Sequence, residues 1–480
     1  LAEAIAAAGG RALVVGGWPR DRLLGRPSKD LDLEVFGLDP DRLAAILADL
    51  GAKAPVGRRF PVWRFGRAGV DVAHPREGAL DYHPDRPDSL EAAFRLAARH
   101  RDLTINALAW DPLGGRWIDP FGGRADLAAR RLRLVDRETF VEDPLRLLRV
   151  ARFTACLEAE PDTELLGICR EMAFEDVPPE RVAEELRRLL RGADRPSRGF
   201  ELLVEVDRLA VLPPIDALRG VPQDPLWHPE GDVFVHTMRV IDCAAGLARS
   251  LSGEEGEVLL WAALCHDLGK PETTTTAGDG RIRSLRHEQV GARITREWLA
   301  WLRLPRRRVR AVEALVRHHL APSQLVSGGA GPRAYRRLAR RLAEAGLTLV
   351  DLERLARADH LGRTTEAARR GVYEAGPRFL AAARAAGVES GPRPDVVSAR
   401  RLMSAGVSEG EGLGWAIARC RTLEDERDDP DPDAIVAIAT RELRERDSRG
   451  GPADGPRSSG PSEAKPEPTP KRKPKSTRGH

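Results

Sequence analysis

The sequence predicts an α+β multidomain protein: a small mixed α/β head, then all-helical domains, then an unstructured tail. Three observations carry this. Strand-like runs separated by turns fill residues 1 to about 155. From about residue 140 onward long helical patterns take over, as in RVAEELRRLL (181–190) and EVLLWAALCHDLG (257–269). From Asp447 the chain is glycine, proline, serine and charge, with too little apolar surface to fold.

In the head, ALVVGG (12–17) is an apolar run that ends in glycines, and LDLEVFG (31–37) alternates as a strand does. VWRFG (62–66) and VDVA (70–73) read as further strands. A Pro- and Asp-rich break, VPQDPLWHPEGD (221–232), marks a domain boundary. Helical patterns then continue to about residue 446. The expected division is 1–140, 141–222, 223–365, 366–446 and 447–480.

Composition excludes several classes. A net charge of +4 is small for 480 residues, so overall charge does not by itself point to nucleic acid. The five cysteines are scattered without a CxxC pair, which argues against a disulfide framework or zinc knuckle and fits a reducing cytoplasm. LAEAIAAAGG is too short and too lightly charged for a signal peptide, and no apolar run reaches the ~20 residues of a membrane span. The chain opens on Leu1 rather than methionine, so an upstream start is expected.

The chemistry concentrates in a few places. At VVGGWPRD (14–21) a strand runs into Gly16-Gly17, and a helix is expected near Pro19. Two glycines let backbone approach a ligand, and amides at a helix start can hold a triphosphate. Asp30 and Asp32, two apart on a strand, point to one face. Alone they would read as a solvated edge; directly after GG…RD they read as a site for two magnesium ions. One ion would activate a 3′-hydroxyl and the other would neutralise leaving pyrophosphate. Asp71, in VDVA, is a candidate third carboxylate. Arg101 and Asp102 precede an apolar helix and suit a ribose 2′-hydroxyl and phosphates. In VEDPLRLLRVARF (141–153), Asp143, Arg146 and Arg149 recur every three residues on one helical face. A carboxylate accepts from the exocyclic amine of cytosine or adenine while an arginine donates to the ring acceptor, a pattern guanine and uracil do not match.

The ordered set GGxxRD (16–21), DxD (30–32), RD-TINA (101–107), DPFGG…DL (119–127), EDxxRxxRxxRF (142–153) and ER…E (180–184) resembles class II tRNA nucleotidyltransferases and their bacterial poly(A) polymerase relatives. The resemblance covers roughly the first 220 residues. It implies a nucleotidyltransferase head over 1–140 and a base-selecting, RNA-binding neck over 141–222. It makes Asp30 and Asp32 the metal carboxylates and places Asp71 at an acidic strand position. It assigns nucleotide contacts to Gly16, Gly17, Arg20, Asp21, Arg101, Asp102, Asn106, Asp143, Arg146, Arg149 and Arg152. The implied reaction adds CMP and AMP from CTP and ATP to tRNA 3′ ends; addition of A alone, to tRNA or to other RNA 3′ ends, is the nearest alternative. Two departures stand out: Pro19 where the family usually has valine, and His100-Arg101 where it usually has two arginines.

The second half carries His236, then His266-Asp267 at the end of an apolar helix, then His287, His318-His319 and Asp359. Imidazole and carboxylate together suit a divalent ion such as Mn²⁺, Ni²⁺, Co²⁺ or Mg²⁺, whose bound water attacks a phosphate ester. The order H…HD…D resembles the HD superfamily, which implies His236, His266, Asp267 and Asp359 as metal ligands over 223–365. His287 and His318 are candidates for a second ion. A phosphohydrolase whose head has become a non-catalytic RNA-binding module is the alternative of another class; the intact DxD argues against it. The tail KRKPKSTRGH (471–480) holds five basic residues and no acid, and reads either as an RNA-phosphate grip or as a solubilising end.

Overall fold

Alternation in the head builds one six-stranded sheet. Its strands are β1 (Arg11–Val15), β2 (Leu31–Phe36), β3 (Val62–Phe65), β4 (Val70–Ala73), β5 (Ala109–Asp111) and β6 (Arg116–Ile118). They lie in the order β3-β4-β2-β1-β5-β6. The computed structural model describes residues 1–28, 31–53, 55, 61–65, 69–86 and 88–448. Asp30 therefore lies outside the described residues, as does the tail from residue 449.

Register decides what each face carries. β1 and β2 pair antiparallel, with Val15 opposite Asp32 and Leu13 opposite Glu34. β2 and β4 pair parallel, with Asp32 opposite Asp71. Cross-strand partners share a face, so Asp32, Glu34 and Asp71 lie on the side of Leu13, Val15 and Phe36. The helix α1 (Gly17–Leu23) starts directly after β1. On the opposite face Ala12, Val14, Leu33, Val35 and Val72 pack with Leu43 and Leu47 of α2 (Pro40–Asp49). α2 begins cleanly because Pro40 sits in its first turn and the Asp39 carboxylate accepts from the Arg42 amide at 2.9 Å. The acidic face is closed at one end by α3 (Ser89–Ala98), where Phe94 meets Phe36 edge-on at 6.5 Å.

The neck is α4 (Arg146–Leu157) and α5 (Pro179–Gly192), which pack against each other. Among the helices that follow are α6 (Val233–Ala248), α7 (Gly253–Cys265), α8 (His287–Trp301), α9 (Arg306–His318) and α10 (Leu349–Gly362). Side-chain caps start several of them. Asp232 caps α6, and capping boxes at Ser252–Glu255 and Thr348–Asp351 start α7 and α10. One continuous core joins neck and HD helices, from Leu103 to Val388.

The chain forms two compact units, Leu1–Pro392 and Arg393 onward. The first extends beyond residue 365, where the sequence placed an edge, because α11 (Ala375–Ala385) buries Phe379 against Tyr335 at 5.4 Å. The second unit folds around its own core. α12 (Ala399–Ser404), α13 (Glu411–Asp425) and α14 (Pro432–Ser448) bury Leu402, Cys420, Leu423, Ile435 and Ala439. No described helix is long and apolar enough to cross a membrane.

Gly269 follows the His266-Asp267 pair and lies against the backbone of α8. A Cβ there would collide with the His287 carbonyl and the Gly291 amide, whereas one at Gly253 would meet nothing within 4 Å. Gly269→Ala should therefore cost about 1–3 kcal/mol by overpacking and lower Tm by several degrees. Gly253→Ala should leave Tm unchanged, and thermal unfolding of the two variants beside wild type checks both.

Candidate active sites

The head and neck enclose a cleft of about 600 Å³. The sheet supplies Asp32, the β1–α1 turn supplies Gly16 and Gly17, and the neck supplies Asp143, Arg146, Arg149 and Arg152. Gly16 has φ 77°, open to glycine at little cost. A Cβ at Gly16 would also strike the Asp32 carboxylate, so the glycine makes room for that acid. Asp71 lies beside Asp32 in register, but Arg64 on β3 holds both its oxygens, at 2.9 and 3.1 Å.

A chain of charge-assisted hydrogen bonds crosses the cleft from head to neck. Arg20 donates to Asp21 at 2.7 and 2.9 Å and to the Asn106 side-chain Oδ1 at 2.7 Å. The Asn106 amide donates to Asp102 Oδ1 at 2.9 Å, and the Leu103 amide donates to the same oxygen at 2.8 Å. Arg149 Nε donates to Asp102 Oδ2 at 2.6 Å. Arg149 Nη1 then lies 3.5 Å from Glu185, which accepts from Arg152 Nε at 2.6 Å. The guanidinium groups of Arg20, Arg149 and Arg152 surround the Phe153 ring at 5.1, 5.7 and 3.9 Å. Burial opposes the Asp102 charge, but Arg149, Asn106 and the Leu103 amide outweigh it and lower its pKa to about 2.

The remaining expected nucleotide contacts are also held in place. Arg101 donates to Glu34 at 2.8 Å and to the Asn106 backbone carbonyl at 3.2 Å. Arg146 is buried and donates to the backbone carbonyls of Thr139 and His100. Asp143 accepts from Arg181 at 2.8 Å rather than from Arg146. Glu185 was not singled out in the sequence. Its signal was there: it falls in the apolar stripe Val182, Leu186 and Leu189 of α5, where a buried acid needs cationic partners.

The second site is a buried cluster of imidazoles and carboxylates. His236, His266 and Asp359 form one group able to hold a metal, and Asp267, His287 and His319 form another. Three histidines share one local device. His266, His287 and His319 each direct Nδ1 at the carbonyl three residues earlier, Ala263, Ser284 and Val316, at 2.8, 2.8 and 2.7 Å. A carbonyl only accepts, so Nδ1 carries a proton and Nε2 is the atom turned toward the cluster. The Nε2 atoms of His287 and His319 face each other at 3.2 Å. His266 Nε2 and both Asp267 oxygens are buried without a well-directed hydrogen bond. Burial, then the neighbouring His287 and His266 rings, lower the His319 pKa to about 3 and keep that ring neutral. Asp267 and Asp359 lie well below the usual carboxylate range despite burial, through His266 and Lys270 for Asp267 and Arg363 for Asp359. Imidazole nitrogens that converge beside ionised carboxylates are a donor set for divalent ions.

One expectation is corrected. His318 does not join His287; its neighbour His319 does. His319 continues the buried stripe Val312, Leu315, Val316 of α9, whereas His318 is half-buried toward Arg341 and Arg317. Three supporting residues were also missed. Glu230 accepts from His236 Nδ1 at 2.8 Å and leaves Nε2 facing Asp359 at 3.1 Å. His228 meets the same Glu230 oxygen at 2.9 Å. Lys270 Nζ lies 2.7 Å from Asp267 and donates to Gln223 at 2.7 Å.

Comparison with known proteins agrees with this two-site architecture. Residues 12–133 match the family model of the poly A polymerase head domain, and residues 233–361 match the HD domain. Residues 162–218 match the probable RNA and SrmB-binding site of polymerase A. The multifunctional CCA protein of Halorhodospira halophila is 39% identical over 304 residues, 61% of this chain and 69% of that protein. That of Cupriavidus metallidurans is 40% identical over 306 residues, 61% and 70% of the two chains. The CCA-adding enzyme of Bacillus stearothermophilus in complex with CTP superposes with TM-score 0.61 at 21% identity, over 93% of this chain and 97% of that one. The Thermotoga maritima CCA-adding enzyme complexed with tRNA gives 0.55 at 15% identity, over 92% and 93%. With a sheet that carries its acid into a basic neck cleft, and a second cluster built on an HD pair, the chain belongs to the class II tRNA nucleotidyltransferase family with a fused HD domain, the family of the multifunctional CCA proteins.

Proposed function

We propose that this protein adds CMP and AMP, taken from CTP and ATP, to tRNA 3′ ends without a template, and that its HD half hydrolyses phosphate esters. The observation that carries the first part is one cleft holding both Asp32 of the sheet and the arginines of α4. Relatives of about 40% identity named for CCA rather than poly(A) synthesis favour full CCA addition over addition of A alone. A cytoplasmic setting suits the five unpaired cysteines.

Asp32, with Asp30, would hold Mg²⁺. Bound there, magnesium supplies activation of the 3′-hydroxyl and charge neutralisation of the leaving pyrophosphate. The chain's own side chains do the rest. Arg20, Arg101 and Arg152 give the cleft the positive charge a triphosphate needs, and Gly16 and Gly17 leave room for it. Asp102 orients Asn106 and Arg149, and together they form the ribose side. Asp143 and Arg146 both line the cleft and are proposed to read the base, exchanging their present partners for its edge. In the HD half, His236, His266, Asp267 and Asp359 would hold a divalent ion such as Mn²⁺, Ni²⁺, Co²⁺ or Mg²⁺, and His287 with His319 a second. A tRNA that lacks a free 3′-hydroxyl cannot be extended, so 2′,3′-cyclic phosphates at damaged ends are the substrate that would link the two halves.

Three outcomes are expected. Asp30→Ala and Asp32→Ala should each abolish nucleotide addition and leave phosphate-ester hydrolysis intact; addition to tRNA lacking CCA, CA or A, with each nucleoside triphosphate singly and together, tests this and separates CCA from A addition. Asp143→Ala and Arg146→Ala should each lose about 1.5–3 kcal/mol of discrimination against UTP and GTP, more than they weaken triphosphate binding; competition assays with the four nucleotides measure it, and full discrimination in both would place base choice elsewhere. His319→Ala should lower bound divalent metal and slow hydrolysis while His318→Ala changes neither, as metal analysis of the purified variants would register.

A further inference from the structure

This inference rests on the phosphohydrolase reading of the HD half and concerns what its substrate carries besides phosphate. Residues 222–232 are strapped onto the metal cluster. Gln223 accepts from Lys270 at 2.7 Å and donates to the Gly231 carbonyl at 3.2 Å. His228 contacts Glu230, the support of His236, and its ring lies 4.6 Å from that of His236. The tip is held as a turn, with the Trp227 and His228 amides both donating to the Asp224 carbonyl at 3.0 and 2.9 Å. The Leu226 amide bonds the Asp224 carboxylate at 3.0 Å. From this fixed tip Trp227 projects 58% exposed, beside Leu226 at 71%. A single exposed apolar side chain needs no explanation; an indole on a braced loop, next to His228 and three residues from Glu230, does. Cations flank the same centre: Lys270 is at Asp267, and Arg363 lies 3.5 Å from Asp359 with its Nε buried and without a hydrogen bond.

We propose that Trp227 is a stacking platform for the base of the nucleotide whose phosphate enters the HD centre, so that the site selects nucleotide-borne phosphate over simple esters. Every base offers a π-face, so stacking of this kind tolerates sequence and suits the end of any RNA. Loss of the platform should weaken a nucleotide about tenfold and leave inorganic phosphate alone.

The test uses the manganese-loaded full chain as wild type, W227A and W227F. Adenosine 2′-monophosphate and inorganic phosphate are titrated separately, with indole fluorescence followed. The difference between wild type and W227F isolates Trp227 from the head cleft and from the other tryptophans. A saturable difference is expected with the nucleotide and none with phosphate. In hydrolysis of 2′,3′-cyclic AMP, W227A should raise KM about tenfold with kcat little changed, and W227F should retain most of the wild-type KM. A nucleotide titration with no Trp227-dependent difference, or an unchanged KM in W227A, overturns the proposal. Trp227-dependent binding in a wild type that hydrolyses no phosphate ester would instead sink the phosphohydrolase reading and leave the platform standing.

Discussion

The contact between Asp102 and Arg149 joins parts of the chain that fold by different rules. Asp102 belongs to the sheet-bearing head, and Arg149 to a neck helix whose other face is buried in the long helical core. Asp102 is nearly buried and ionised, so it needs its partners, and it draws them from both sides: the Leu103 amide, Asn106 and Arg149. Through Asn106 it orients Arg20, and through Arg149 it meets Glu185 and Arg152. Removing Arg149 would leave the buried Asp102 charge without its cation. The network thus ties the sheet side of the cleft to the neck.

The second neck helix, α5, faces the other way as well. Glu184 of α5 lines the head cleft and binds Arg187 at 2.7 Å; Arg187 reaches Glu257 on α7 at 3.1 Å, and Glu257 meets Arg308 on α9 at 3.0 Å. α7 ends at the His266-Asp267 pair and α9 at His319. Two of the helices that deliver residues of the imidazole–carboxylate cluster are therefore tied by ion pairs to a helix that walls the head cleft. With the shared core from Leu103 to Val388, this gives head, neck and HD helices a common scaffold.

At the HD cluster the organising constraint is tautomeric. Three rings fix Nδ1 on a carbonyl three residues back, and the fourth fixes it on Glu230. Each tie is local, or nearly so, and leaves Nε2 to be aimed by helix packing. That packing is tight where it matters: Gly269 lies against the α8 backbone with no room for a side chain.

Much of this was legible in the sequence because it is periodic or contiguous. Alternation in ALVV and LDLEVF placed β1 and β2, and with them Asp32 on the face that lines the cleft. The ordered motifs identified the family, and the neck arginines at three-residue spacing do line one cleft. What required the tertiary structure was every choice between equivalent local options. Of two adjacent histidines, the register of α9 in the core selects His319, and no local pattern weighs that burial until the helix has something to bury against. Asp71 is brought beside Asp32 by a parallel pairing whose crossover the sequence does not specify, and Arg64 from the next strand then claims it. Glu230, Glu185 and Lys270 gained their roles from partners set by the fold, as in Thr364–Glu230 (134 apart), Arg152–Glu185 (33 apart) and Lys270–Gln223 (47 apart). Charge and periodicity act along the chain and can be read there; pairing of buried charges is decided by which surfaces fold together, because only burial makes an unpaired charge costly.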